Sequence, residues 1–409
     1  MGSPGKHILF VVENCSVPDD QRVWKEAKAV KDMGFEVSIV SPKDSKKDNE
    51  KFVNIDGIEI HRYKQVVLGT GFVSYIVEYI NYLLRTFFLV LSINFKKKIH
   101  VFHSANPPDL FFLIFIFYKP FGAKYIFDVH DLFVNTFESK YAERKSLTKK
   151  LFIGILNLTE ELNLLLTDYI VVTNQSYKEY LIEKYKINPD KIFIVRNAPE
   201  LDNRLEIPAD ETLKNGKSNL LVFFGMMGED DGVDVILKAC SYLISEKKFS
   251  DFYCCLIGPD NIERSPFIGE LKKLHKELNL TENVKFTGYL SWSQIHAYLN
   301  TAQIGLSPDL YTLQNNISTM IKIMEYMSHG LPILSFDLKE NKYSAGDAAV
   351  YCDSFDYKEF AEKIMFMLND KKLLSEKANE GLNRYKNTFN WENSKINLVL
   401  LFQICVILK

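Results

Sequence analysis

Short apolar runs alternate with segments of helical periodicity along this chain, and the pattern runs through twice. The first pass opens with the run His7–Val12, the polar loop Glu13–Asp20, a helical stretch Arg22–Met33 stopped by Gly34, and the run Glu36–Val40. Gly57–Arg62, Val101–His103, Lys124–Asp128, Tyr169–Val172 and Lys191–Val195 continue the strands. Helical segments Phe72–Ile93, Leu110–Tyr118, Leu147–Leu166 and Tyr177–Tyr185 lie between them. After the polar linker Ala198–Lys217 the pattern restarts. Its strands are Leu220–Phe224, Phe252–Ile257, Val284–Phe286, Ile304–Leu306 and the run Ile333–Phe336. Its helices are Gly232–Ser245, Glu270–Leu278, Gln294–Asn300, Tyr357–Leu368 and Lys371–Lys386. Short strands joined through helices pair in parallel and carry helices on both faces of the sheet. At 409 residues the chain is longer than one core usually supports. The expected fold class is α/β, with two doubly wound domains facing a central cleft and a ligand at the carboxyl ends of the strands. The expected bounds are 1–197 and 198–385, with 386–409 a C-terminal helix returning to the first domain.

Composition narrows the function classes. A net charge of −2 gives no electrostatic case for nucleic acid as a partner. The charge is uneven: of 50 Lys+Arg and 52 Asp+Glu, residues 1–195 hold 26 and 23 (+3), which leaves 24 and 29 (−5). The cations are densest at Lys96–Lys98, Arg144-Lys145 and Lys149-Lys150. With the aromatic-rich helix Phe72–Phe95 they suit an anionic membrane surface. Either cluster alone is more often a solvated charge run, and a helix that simply covers the first sheet accounts for Phe72–Phe95 at least equally well. Thr86–Phe95, Phe111–Tyr118 and Ile396–Leu408 fall short of the roughly 20 apolar residues that span a bilayer, and Phe72–Ile93 carries Glu78, Asn81 and Arg85. The six cysteines show no metal spacing and read as reduced thiols. The expected location is the cytoplasm, with peripheral attachment at the inner face of the membrane as the alternative.

The densest site signal is Asn316-Ile-Ser318-Thr-Met-Ile-Lys322-Ile-Met-Glu325-Tyr-Met-Ser-His-Gly330-Leu-Pro332. Asn316 or Ser318 is the expected N-cap of a helix whose first N–H groups could meet a phosphate. Lys322 reaches the same anion. Glu325, three residues on, shares its face and could accept from two vicinal hydroxyls. Gly330 and Pro332 end the helix. Alone, the same letters describe an amphipathic helix with a surface ion pair. Further candidates gather at strand ends: His103, His130-Asp131, Gly225–Gly228, Gly258, Gly288 and Ser307-Pro308. A lone strand-end histidine is more often a satisfied core residue, and the same holds for His296 and His329.

The order of motifs is familiar. Asp128-Val-His130-Asp131-Leu132, Val195-Arg-Asn197-Ala-Pro199 and Phe224-Gly225-Met-Met-Gly228 are followed by Asp231-Gly232-Val-Asp234, Ile257-Gly258-Pro and Val284-Lys-Phe-Thr-Gly288. Ile304-Gly-Leu-Ser-Pro308 and the Lys322…Glu325…Pro332 helix complete the series. Over nearly its whole length the chain resembles family-4 glycosyltransferases of the GT-B type, nearest the branch that builds bacterial surface polysaccharides. Asn106-Pro-Pro-Asp109 and Asp20-Gln-Arg22-Val-Trp24-Lys-Glu26 resemble that branch too.

The resemblance implies two Rossmann-like domains, a nucleotide-sugar donor on the second, and a lipid-linked or saccharide acceptor on the first. It implies retention of anomeric configuration, no obligatory metal and no cofactor beyond the donor substrate, a UDP-sugar being favoured. Residue by residue, it makes Glu325 the ribose ligand and sets Lys322 with Ser318, Thr319 and Met320 at the diphosphate. His130 contacts the transferred sugar or the reacting centre. Gly225, Gly228, Arg196 and Asn197 join the donor residues, and Gly288 with Tyr289 meets the nucleobase. Asn14, Cys15, Ser16, Arg22, His103 and Asp131 fall on the acceptor side.

Two positions depart from the family pattern. Ile317 stands where a sugar-binding Glu is often found, and Met226 and Asp231 stand where an Arg and a Lys are usual. Lys322 and Arg196 are the expected compensating cations. Two rivals remain: a GT-B-type sugar-nucleotide epimerase, and a non-catalytic nucleotide-sugar-binding partner protein.

Overall fold

The computed structural model describes residues 5–44, 50–64, 72–107, 109–132, 134–135, 147–200, 204–260 and 266–407. The chain divides into two compact units, Met1–Asn197 with Ser394–Lys409, and Ala198–Asn393.

The first unit holds β1 (His7–Val11), β2 (Glu36–Lys43), β3 (Phe52–Ile55), β4 (Ile58–Lys64), β5 (Val101–Ala105), β6 (Lys124–Val129), β7 (Tyr169–Val172) and β8 (Ile192–Ile194). They form one sheet in the order β3-β4-β2-β1-β5-β6-β7-β8. All neighbours are parallel except β3 and β4. Strands β1 and β5 are buried at every position, as expected where both faces of a sheet are covered. Phe402, on the C-terminal helix Trp391–Ile407, packs against Phe10 and Phe35.

The second unit holds β9 (Asn219–Phe224), β10 (Phe252–Ile257), β11 (Val284–Gly288), β12 (Ile304–Ser307), β13 (Ile333–Phe336) and β14 (Ala349–Cys352). Their order is β11-β10-β9-β12-β13-β14, parallel throughout. Two apolar clusters pack against this sheet.

Five features differ from the sequence reading. The hairpin β3–β4 was missed although its Asp56-Gly57 turn is a strong hairpin signal, both residues having positive φ. The stretch 110–118 is helical only at Phe112–Phe115. At its ends the backbone tightens to bonds between residues three apart, Leu113 N to Leu110 O and Tyr118 N to Phe115 O. The helix Lys339–Ala345 and strand β14 also went unread. The second unit extends to Asn393, past the expected boundary at 385. Phe389 is buried in that unit's core, Asn390 Nδ2 donates to Tyr385 O at 3.0 Å, and Trp391 N donates to Pro199 O at 2.8 Å.

Candidate functional site

In the second unit β9 ends in the turn Gly225–Gly228. A Cβ on Gly258 would lie 2.0 Å from the Gly225 carbonyl oxygen, and one on Gly232, at φ 68°, would lie 1.9 Å from the Pro308 carbonyl oxygen. Only glycine permits these two approaches of backbone to backbone. Asp231 closes the turn, its Oδ2 accepting from Gly228 N at 2.7 Å.

The helix Ile321–Ser328 starts beyond this turn. Its N-cap is Met320, which makes no side-chain cap hydrogen bond. Neither expected cap takes that position. Ser318 ends the preceding short helix Leu313–Ile317, and Asn316 Oδ1 accepts from Lys339 N at 2.9 Å. Met320 itself thus brings no side-chain acceptor to the positive end of the helix.

Lys322 and Glu325 are not a surface ion pair, because both are buried and each has its own partner. Lys322 Nζ lies 2.6 Å from Asp309 Oδ1, 3.9 Å from Asp231 Oδ1, and 4.5 Å from the centre of the Phe223 ring. Asp309 is fully buried, and its other oxygen accepts from Ser307 Oγ at 2.5 Å. Glu325 Oε2 lies 2.5 Å from Arg204 NH1, which also donates to Ser328 Oγ at 3.1 Å. Arg204 comes from the supposed linker, held there by Asn300 Nδ2 donating to its carbonyl at 2.9 Å. Burial raises the Asp231 carboxyl against the pull of Lys322. Gly288 closes β11, and Tyr289 after it is 66% exposed. Ile317 is buried and Met226 exposed. His296 and His329 stack, with Nδ1 of one 3.0 Å from Nε2 of the other, inside the unit.

The first unit carries a second charged cluster, on β5, β6 and the helix Gln21–Asp32. Arg22 grips Asp128 with two N–H groups at 3.1 and 2.7 Å, donates to Val195 O at 2.7 Å, and lies 3.2 Å from Glu26 Oε1. Asp128 Oδ2 also meets His130 Nε2 at 2.7 Å. Burial works to raise the Asp128 carboxyl, but Arg22 and His130 outweigh it and hold the group well below the usual carboxylate range. With one guanidinium between two carboxylates, Asp128 takes it and Glu26 keeps its proton. Burial, then the Asp128 charge, pushes Glu26 up to about 8. Burial lowers His103 to about 4. For His130 burial opposes the charge, and Asp128 outweighs it, so this imidazole is raised. Among the described residues neither the Glu26 nor the His103 side chain has a hydrogen-bond partner, and the two approach each other to 3.7 Å.

Two acceptor-side expectations need correction. His103 is 2% exposed, packed edge-on against Phe10 and Phe402. Arg22 is 4% exposed, with its donors taken by Asp128 and Val195. Neither is open to an acceptor; both sit behind His130. Asp131 is exposed, and Asn106 braces its loop, Oδ1 accepting from His130 N at 2.7 Å and Nδ2 donating to Asp131 O at 2.8 Å. Asn14 is exposed, Cys15 half-buried and Ser16 buried, in a loop pinned by Arg62 NH2 donating to Val17 O at 2.7 Å. Arg196 and Asn197 fall in the first unit, whereas the other residues they were grouped with fall in the second, and Asn197 Oδ1 accepts from Lys25 Nζ at 3.1 Å.

Glu26, Asp128, Arg204 and Asp309 were not singled out as site residues. Asp309 could have been found, two residues beyond a strand end. Arg204 carries no local signal, being 121 positions from Glu325. Ligand atoms of Glu26, His103 and Asp128 lie within 4.8 Å of one another, a spacing that could hold a metal ion. Arg22 already supplies a cation to both carboxylates there, and a metal would have to displace it.

The chain is similar to known proteins. Residues 21–203 match the model of "Glycosyltransferase Family 4", and residues 218–370 that of "Glycosyl transferases group 1". The chitobiosyldiphosphodolichol beta-mannosyltransferase of Kluyveromyces lactis is 21% identical, over 98% of this chain and 91% of its own. Sucrose-phosphate synthase from Thermosynechococcus elongatus superposes with a TM-score of 0.78 at 15% identity, over 97% of this chain and 98% of its own. An Anabaena protein crystallised with UDP and glucose gives 0.69 at 10% identity, over 97% and 99%.

Proposed function

We propose that this chain, which belongs to the family-4 glycosyltransferases of the GT-B type, moves a sugar from a nucleoside diphosphate donor to a hydroxyl of a lipid-linked or saccharide acceptor, with retention of configuration. The observation that carries the reading is the pair of buried charges on one helix, Lys322 against Asp309 and Glu325 against Arg204. Buried ionic groups are costly to keep, so two of them retained on one helix point to a ligand. Lys322, the helix start at Met320 and the Gly225–Gly228 turn meet the diphosphate. Glu325 accepts from the ribose hydroxyls while Arg204 fixes its rotamer. Tyr289 and Gly288 offer a face to the base.

Departure of the diphosphate leaves an oxocarbenium-like centre, and fixed cations near the leaving group lower that barrier. In front-face transfer the leaving phosphate oxygen takes the acceptor proton, so no carboxylate nucleophile is required. His130, its imidazole raised by Asp128 against the effect of burial, contacts the transferred sugar or the leaving phosphate. The diphosphate charge is met by Lys322 and the helix start, without an obligatory metal or cofactor. The product belongs to surface-polysaccharide or glycoconjugate synthesis.

The test is a thermal-shift screen against UDP, GDP, ADP and their common sugars, followed by NMR of the product's anomeric proton. A UDP-sugar is expected to raise Tm, and the product to keep the donor's anomeric configuration. Donor binding without transfer across a broad acceptor panel, or conversion of the sugar nucleotide without an acceptor, would overturn the reading.

A further inference from the structure

Three segments of the first unit pack side by side against the first sheet: the helix Phe72–Lys96, which lies against β2 and β4, the turn-rich stretch 111–122, and the helix Leu147–Leu166. Phe87 meets Phe117 edge-on at 6.0 Å, and Lys119 Nζ donates to Leu166 O at 3.0 Å. Each segment buries one face. On the first helix that face is Tyr82, Thr86, Val90 and Ile93, and on the second Glu160, Asn163 and Leu164. Covering the sheet is therefore done by one face of each helix.

The opposite faces are also apolar. On the first helix Ile80, Leu84 and Phe88 are 53%, 53% and 63% exposed at helical spacing. On the second the matching stripe includes Leu151, Leu158 and Leu165, with Phe117 and Phe121 between the helices. Of the 28 large hydrophobics exposed among the described residues, 15 lie in these three segments. Monomeric soluble proteins rarely leave contiguous apolar surface beyond a few hundred Å².

Charge selects the occupant. The three segments lead into adjacent parallel strands, so their C-terminal ends share one edge of the sheet. Phe95, Lys96, Lys98 and Lys119 are exposed at that edge, and Arg85 and Lys150 are exposed along the helices. Glu161 is the exposed acid on them. An apolar stripe with a cationic border fits lipid of negative surface charge, and no described helix is long and apolar enough to cross a membrane.

We propose that this face docks the protein on an anionic lipid bilayer, with Phe88, Phe95, Phe117 and Phe121 entering the headgroup layer and Lys96, Lys98 and Lys119 pairing with lipid phosphates. It deepens the lipid-linked half of the acceptor reading, yet its test needs neither donor nor acceptor. The full chain is floated with vesicles of phosphatidylcholine alone and with 30–40% phosphatidylglycerol, a range of about the anionic content that draws polybasic surfaces. The wild type is expected to float with anionic vesicles and to be released by salt. Ile80→Gln/Leu84→Gln/Phe88→Gln, three exposed positions, is expected to lower partitioning at least tenfold. Lys96→Glu/Lys98→Glu should lower it for anionic vesicles only. Circular dichroism and a cooperative, ligand-free thermal transition should match the wild type in both variants, which separates loss of docking from misfolding. No wild-type binding, equal binding by the triple variant, or a lipid-free dimer that the triple variant dissolves would overturn the proposal. Failure of donor binding with vesicle binding intact would count against the enzyme reading alone.

Discussion

Replacing Glu325 with Gln separates a ligand-binding carboxylate from a structural one. Its Oε2 lies 2.5 Å from Arg204 NH1, and both side chains are 7% exposed. At an effective dielectric of about 20 the gross attraction is about 7 kcal/mol. Desolvation offsets much of that, and breaking a buried pair from one side typically costs about 3–5 kcal/mol. The amide keeps a neutral acceptor towards Arg204, so E325Q is expected to lose about 2–3 kcal/mol of stability, read from urea unfolding. The effect on ligand is separate. Two ribose hydroxyls donating to a carboxylate make charge-assisted bonds, and an amide oxygen replaces only part of that acceptor capacity. The expected loss of nucleotide affinity is about 1.5–3 kcal/mol, on the order of 10- to 100-fold in Kd by calorimetry with UDP and UDP-sugars. A variant destabilised as expected that binds nucleotide within about twofold of wild type, a gap of about 0.4 kcal/mol, would refute the assignment. Glu325 would then be only the counter-ion of Arg204.

Lys322→Met keeps an apolar stem over the Phe223 ring and removes the cation, and should lower kcat/KM by about 100-fold or more. Asp231→Asn keeps the acceptor for Gly228 N and removes the acid 3.9 Å from Lys322, so donor should bind several-fold tighter in the same calorimetry. Asp128→Asn should move the basic limb of the pH–rate profile to lower pH, because the carboxylate that raises His130 is gone; an unmoved limb would exclude His130 as the titrating group. Glu26 is raised from 4.5 to about 8 in the fold, so its proton stabilises the native state below pH 4.5, and that stability is lost as pH rises through 8. Glu26→Gln should flatten this decline, an effect of a few kcal/mol in urea midpoints measured between pH 5 and 9.

Much of the fold is legible in the sequence because periodicity is a local property. Tyr169–Val172 and Leu147–Leu166 are read to the residue, since an apolar run with polar ends has one way to sit in a covered sheet. The stretch 110–118 misled because its Phe and Ile residues suit helix, strand or tight turn alike, and packing against Tyr82 and Phe102 decided among them. The site divides along the same line. Lys322 and Glu325 announce themselves by spacing on one helix, and Gly225–Gly228 by its place after a strand. Their partners Asp309 and Arg204 come from elsewhere in the chain, and pairing across 13 and 121 positions leaves no periodic trace.

The sequence alone determined that this chain forms two parallel-sheet units and that one late helix carries a cation and an acid, because strand and helix periods and the order of motifs are written in consecutive residues. Only the tertiary structure decided what those charges meet: Lys322 against Asp309, Glu325 against Arg204, and His130 backed by Asp128 and Arg22. It also decided that Arg22 and His103 lie behind the site, and that the helices over the first sheet keep a second, apolar face in solvent. Burial and ionic pairing are set by which distant segments share a volume, and the energies they carry appear only once water has been excluded from it.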